Sequence, residues 1–101
     1  MKRVFICSPF AGDIKKNKKR ARTMMEFALR AGHAPIAPHL LYPQVLSESA
    51  EERAMGLQAG LCWLSSCDEL WMPRGVKVSI GMAQEIVEAD RLSLPIREVE
   101  V

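Results

Sequence analysis

The sequence predicts an α/β protein: a small doubly wound, three-layer fold with four parallel strands in the order 2-1-3-4. Three observations carry that expectation. Compact β-branched, aromatic or apolar runs occur four times, at residues 3–7, 33–37, 68–72 and 94–99. The stretches between them have helical starts, stops and periodicity. Strands that alternate with helices pair in parallel through right-handed crossovers.

Arg3 to Cys7 is ended by Ser8-Pro9 and reads as a strand buried on both faces, the usual condition in a parallel sheet. Ser8 to Asp13 is a loop, and Asp13 or Asn17 can cap the helix that follows. In that helix Ala21, Met24, Met25 and Ala28 fall at i, i+3, i+4 and i+7, and Gly32 is a natural stop. Lys15, Lys16, Lys18, Lys19 and Arg20 crowd its first turns, where cations oppose the helix dipole. His33 to Ala37 is a second strand, and Pro35 suggests a sheet edge. Pro38 to Pro43 reads as a loop rich in large apolar residues that folds over a pocket or a partner subunit. Ser49 and Glu52 have capping-box spacing, and Ala54, Leu57, Leu61 and Leu64 give the next helix its core stripe. Asp68 to Met72 is the third strand, stopped by Pro73-Arg74-Gly75, and Leu94 to Val99 supplies the fourth.

The remaining segment, Ser79 to Ala89, opens the last helix. Ser79 is a good N-cap, Gly81 leaves the first-turn amides uncovered for an anion, and Glu85 lies one turn further on. The strand order is that of a trimmed flavodoxin-like fold, whose ligands sit at the carboxyl ends of the strands. Residues 8–12, 38–43, 72–75 and 79–82 converge there.

Composition bounds the rest. At 101 residues the chain is expected to be one domain spanning 1–101. Residues 1–30 hold nine basic groups against Asp13 and Glu26, a net of +7, while the remainder carries five basic and ten acidic groups. Cys7, Cys62 and Cys67 lack C-x-x-C spacing and read as reduced thiols of a cytoplasmic protein. The apolar run after Met1 is too short for an export signal, and no run approaches the ~18 apolar residues of a membrane span. P-loop and G-x-G-x-x-G motifs are absent, as are zinc spacing and a G-x-S-x-G elbow, so neither a metal nor a cofactor is expected.

Four motifs occur in order: residues 4–12 (VFICSPFAG), residues 32–40 (GHAPIAPHL), residues 67–71 (CDELW), and Ser79-x-Gly81-Met82-x-x-Glu85-x-x-x-Ala89. Over nearly the whole chain they resemble the nucleoside 2-deoxyribosyltransferase-like family, in particular its short bacterial and phage branch. The resemblance implies an enzyme in which a helix Glu, here Glu85, attacks the anomeric carbon of a 2′-deoxynucleoside or 2′-deoxynucleotide. The base is displaced, and a second base (transferase) or water (hydrolase) takes the sugar. Asp68 matches a family acidic position near the base, where a carboxyl helps protonate the leaving ring. Ser79 stands where transferases carry an Asp and the related deoxynucleoside 5′-monophosphate N-hydrolases carry a phosphate-binding Ser. Ser8, Phe10, Gly12, His39, Gly81 and Met82 complete the expected substrate contacts. Gly60 falls where the hydrolases have an Asp, which leaves open a non-catalytic nucleotide-binding module. Nucleic acid is not the expected partner, although the Lys15–Arg20 run keeps that alternative in view.

Helical phase supplies an expectation about assembly. With Ile80, Ala83 and Val87 at the centre of the core stripe, Glu85 would be solvated in a monomer. Its face should then be covered by ligand and by another subunit, in a homodimer or larger assembly.

Overall fold

The computed structural model describes residues 1–100. Its elements are β1 (Arg3–Ile6), α1 (Ile14–Arg30), β2 (Ala34–Ile36), α2 (Pro38–Leu41) with a 3-10 turn at Tyr42–Gln44, α3 (Ala50–Leu64), β3 (Glu69–Pro73), α4 (Ile80–Arg91) and β4 (Ile96–Val99). All three strand pairings are parallel and the order is β2-β1-β3-β4, as expected.

Alternation along β1 divides the core between the two faces of the sheet. Val4 and Ile6 pack with Met24 and Ala28 of α1 and with Trp71 and Val99. Phe5 and Cys7 pack on the other face with Leu64 of α3, Leu70, and Met82 and Ala89 of α4. Helices therefore cover both faces, giving three layers. No helix among the described residues is long and apolar enough to cross a membrane.

The ends of α1 follow local chemistry. Asp13 caps it, accepting from the Lys16 amide at 3.1 Å, and Gly32 leaves it at φ +85°. Asn17, the alternative cap, is buried in the helix instead. Its Nδ2 donates at 3.0 Å to the carbonyls of both Phe10 and Ala11, pinning the loop after β1.

Four expectations are corrected. Residues 38–41 are helical: Pro38 stands at the first helical position, where its fixed φ suits the helix and its missing N–H costs nothing. Ala54 is exposed, and only Gly60 and Leu64 of α3 are buried, because the amino half of this helix overhangs a cavity. The capping box is half formed. Ser49 accepts from the Glu52 amide, but Glu52 Oε1 accepts from Ser47 N at 2.8 Å.

The fourth correction concerns α4. Its buried residues are Met82, Glu85 and Ala89, with Ile86 packed beside them, whereas Ile80 and Val87 are 82% and 68% exposed. Apolar residues recur at helical spacing on both stripes, so periodicity alone does not choose between them. Packing on the sheet turns the helix until Glu85 points inward.

Candidate active site

A cavity of about 890 Å3 opens at the carboxyl rim of the sheet. Phe10 and Ile14 form one wall, and Pro38, His39 and Tyr42 another. Leu57 and the amino half of α3 close it from above, while Ser79, Gly81 and Glu85 of α4 complete the floor.

Glu85 is 1% exposed, and its Oε1 has no hydrogen-bond partner. Its Oε2 lies 3.5 Å from His39 Nε2. A buried carboxylate oxygen left without a partner is costly and rare in folded proteins. Gly81, one turn earlier, faces open space, with nothing within 4 Å of where its Cβ would be. Ser8 Oγ is likewise buried without a partner, and the His39 ring faces the Ser8 backbone. Glu85 and His39 line the cavity, whereas Ser8, expected among the substrate contacts, is buried behind them and does not.

Electrostatics tie these groups together. Burial alone would lower the pKa of His39. Contact with the Glu85 carboxylate, its charge and the Ser8 backbone outweigh that effect and hold the imidazole above its ordinary 6.5. Cys7 is driven the other way from thiolate chemistry: burial, then the Glu85 charge and contact, raise its pKa and keep it a thiol. Its Sγ also lies 3.8 Å from the Met82 carbonyl oxygen.

Not every expected residue reaches this place. Phe10, His39, Ser79, Gly81 and Glu85 line the cavity, and the Phe10 and His39 rings lie 6.2 Å apart, tilted by 57°. Ser79 caps α4, its Oγ accepting from Met82 N at 3.2 Å. That leaves the hydroxyl proton free to donate, together with the first helical amides of Ile80 and Gly81. Met82 packs in the core with no exposed surface and does not line the cavity. Gly12 lies outside the lining, and its φ of +95° serves the turn into α1.

Asp68 lies at the wrong end of its strand. Its Oδ2 accepts from Arg3 N at 2.7 Å while its own N–H donates to the Arg3 carbonyl at 2.7 Å. This reciprocal pair closes the β1–β3 ladder at its amino end. About 13 Å of strand separates Asp68 from Met72 at the rim, so the carboxyl cannot serve the cavity. Gly60 faces Pro38: a Cβ there would approach Pro38 Cβ to 3.2 Å, which leaves an Asp no room without movement.

The sequence reading passed over four contributors. Asn17 anchors the Phe10 loop, and its signal was a polar residue one turn before Ala21 on the core stripe of α1. Lys18, half-buried, and Arg53, exposed, place cations in the cavity wall. Cys7 lies against Glu85, but nothing in the sequence distinguished it from an ordinary packed thiol.

Solved structures share this architecture. The chain is similar to a 2-deoxyribosyltransferase of Bacillus psychrosaccharolyticus, with TM-score 0.75 and 20% identity over 95% of this chain and 70% of that one. A CMP N-glycosidase of Clostridium botulinum gives TM-score 0.59 at 22% identity, covering 96% and 70% of the two chains. A 2-deoxyribosyltransferase of Leishmania mexicana gives 0.66 at 13%, covering 99% and 65%. Such identities show a common fold. No curated protein matches the chain. A family model described as a domain of unknown function, DUF7768, matches residues 2–99, and the chain belongs to that family.

Proposed function

We propose that the protein cleaves the N-glycosidic bond of a 2′-deoxynucleotide, or transfers its deoxyribosyl group, with Glu85 as nucleophile. One observation carries the reading: a carboxylate 1% exposed, with one oxygen unpartnered, at the end of a cavity walled by an aromatic ring and a helix N-terminus. A Glu85 oxygen forms a bond to the anomeric carbon as the carbon–nitrogen bond breaks, its electron pair leaving with the base. His39, whose protonated form the Glu85 carboxylate favours, gives the base a proton and takes the place expected of Asp68. Water or a second base then attacks the same carbon, releasing Glu85, as in retaining glycosidases. The Phe10 ring offers the base a stacking surface. The Ser79 hydroxyl and the amides that begin α4 suit a phosphate, which an Asp in place of Ser79 would repel.

The test is incubation with each deoxynucleoside monophosphate and separation of free base. Glu85→Gln is expected to lower turnover at least about 10^3-fold while monophosphate binding stays within about threefold, because the nucleophile contributes chiefly to the transition state. Wild-type protein that binds monophosphates but releases no base refutes the glycosidase reading. That outcome supports the second reading, a nucleotide-sensing module, which Gly60 favours because Pro38 fills the space of a sugar-orienting Asp.

A homodimer belongs to the same proposal, with a corrected rationale. Glu85 is already buried, so burial of the nucleophile does not require a second subunit. The outward stripe of α4, Ile80 and Val87 at 82% and 68% exposure, together with Val78 at 43% just before the helix, is the apolar surface that suits a second copy. Light scattering is expected to give a dimer or larger homo-oligomer, and Ile80→Glu with Val87→Glu a monomer. A monomeric wild type refutes this.

A further inference from the structure

We propose that the preferred ligand is a nucleotide whose phosphate is continued by further phosphate groups, held along Lys15, Lys18, Lys19 and Arg22 of α1. The proposal rests on the nucleotide reading of the cavity and extends it to the substrate's length. Lys18 lines the cavity that also contains Ser79 and Gly81. At 100° per residue, Lys15, Lys19 and Arg22 lie within about 100° of Lys18, on the flank of α1 that leads away from the cavity mouth. The stripe runs about 10 Å along the helix, enough for more than one phosphate.

The stripe offers unpaired charge beside the cavity: none of its four cations takes part in an ion pair among the described residues, and neither does Arg53 of the cavity wall. The first turn of α1 contains no acidic residue, so only the Asp13 cap offsets these charges against the helix dipole. An anion laid along the stripe would supply what the fold leaves out. Two chemistries would do so, a 5′-polyphosphate or the phosphodiester chain of an oligonucleotide.

Calorimetric titration in EDTA separates them. The ligands are the four deoxynucleoside monophosphates, the four triphosphates and a 5′-phosphorylated pentadeoxynucleotide. They are measured against wild type and K15Q/K19Q/R22Q, whose exposed changes are checked for an unaltered far-UV spectrum. At 50 mM salt at least one extended ligand is expected to bind wild type tenfold or more tighter than any monophosphate. In the triple variant that ratio falls to near one. If the oligonucleotide is the ligand, wild type loses about 20-fold more affinity than the variant between 50 and 200 mM salt, the release of about three counterion equivalents. Tighter triphosphate binding identifies the polyphosphate chain, and tighter oligonucleotide binding the phosphodiester chain. Equal affinity for short and extended ligands overturns the proposal but leaves the nucleotide site standing, as does a ratio that survives in the variant. No binding of any ligand overturns both.

Discussion

Replacing Glu85 with Met should make the protein more stable, most clearly at high pH. The two side chains are similar in volume and in helix propensity, but Met removes both carboxylate oxygens. Oε1, buried and unpartnered, is the costly one, and leaving such a group unsatisfied costs about 1–3 kcal/mol. Oε2 recovers part of that through His39 at 3.5 Å, longer than a good hydrogen bond. The recovery depends on pH. Because the folded-state pKa of His39 is raised from 6.5, the pair's contribution is present in full below that value. It is lost as pH rises through the folded value. Above it, Glu85 is a buried charge beside a neutral ring. There Glu85→Met should gain about 1–3 kcal/mol, or roughly 5–20 °C in Tm at the 4–8 °C per kcal/mol of a domain this size. Toward pH 6 the gain should shrink, and without Glu85 the His39-linked pH dependence should move toward the opposite sign, because burial lowers the ring's pKa. Thermal melts of both proteins at pH 6 and pH 9 make the measurement. A variant less stable than wild type at pH 9 would mean that Glu85 supports the fold, and the inference from burial to function would fail.

Two further substitutions separate structure from function. Asp68→Ala removes the acceptor for the Arg3 amide and should cost about 0.5–1.5 kcal/mol in urea unfolding. Base release should be unchanged, and a loss of 100-fold or more would return Asp68 to the chemistry. Asn17→Ala frees the Phe10 and Ala11 carbonyls, and its cost should be about 1–3 kcal/mol with a raised KM as the Phe10 wall loosens. An unchanged KM would show that this wall does not contact substrate.

The fold was legible where burial and local caps point to the same answer. The two-faced burial of β1, the Asp13 cap and the Pro35 edge strand each followed from a few adjacent residues, and together they imposed the order 2-1-3-4. The site was legible less evenly. Ser79, Gly81 and Glu85 lie within the first two turns of one capped helix, so their relative placement needed no tertiary information. The phase of α4 did need it, since Met82/Ala89 and Ile80/Val87 are equally apolar stripes, and only contact with Phe5, Cys7 and Leu64 selects the first. Asp68 was misplaced for a related reason: a resemblance in sequence does not say which end of a strand a carboxyl serves. The Gly60–Pro38 contact joins residues on different elements, which no local pattern encodes.

The cavity wall also carries an optical reporter. Tyr42, which lines the cavity, accepts a 2.7 Å hydrogen bond from the indole of Trp63, a residue 44% exposed on α3. Trp71, the second indole, is 2% exposed and donates to Glu69 inside the sheet. One emitter is thus tied to the ligand wall and the other to the framework. A ligand that shifts Tyr42 changes the red-edge emission of Trp63 against a constant signal from Trp71. Occupancy can therefore be followed in the unlabelled protein, with Trp63→Phe as the blank.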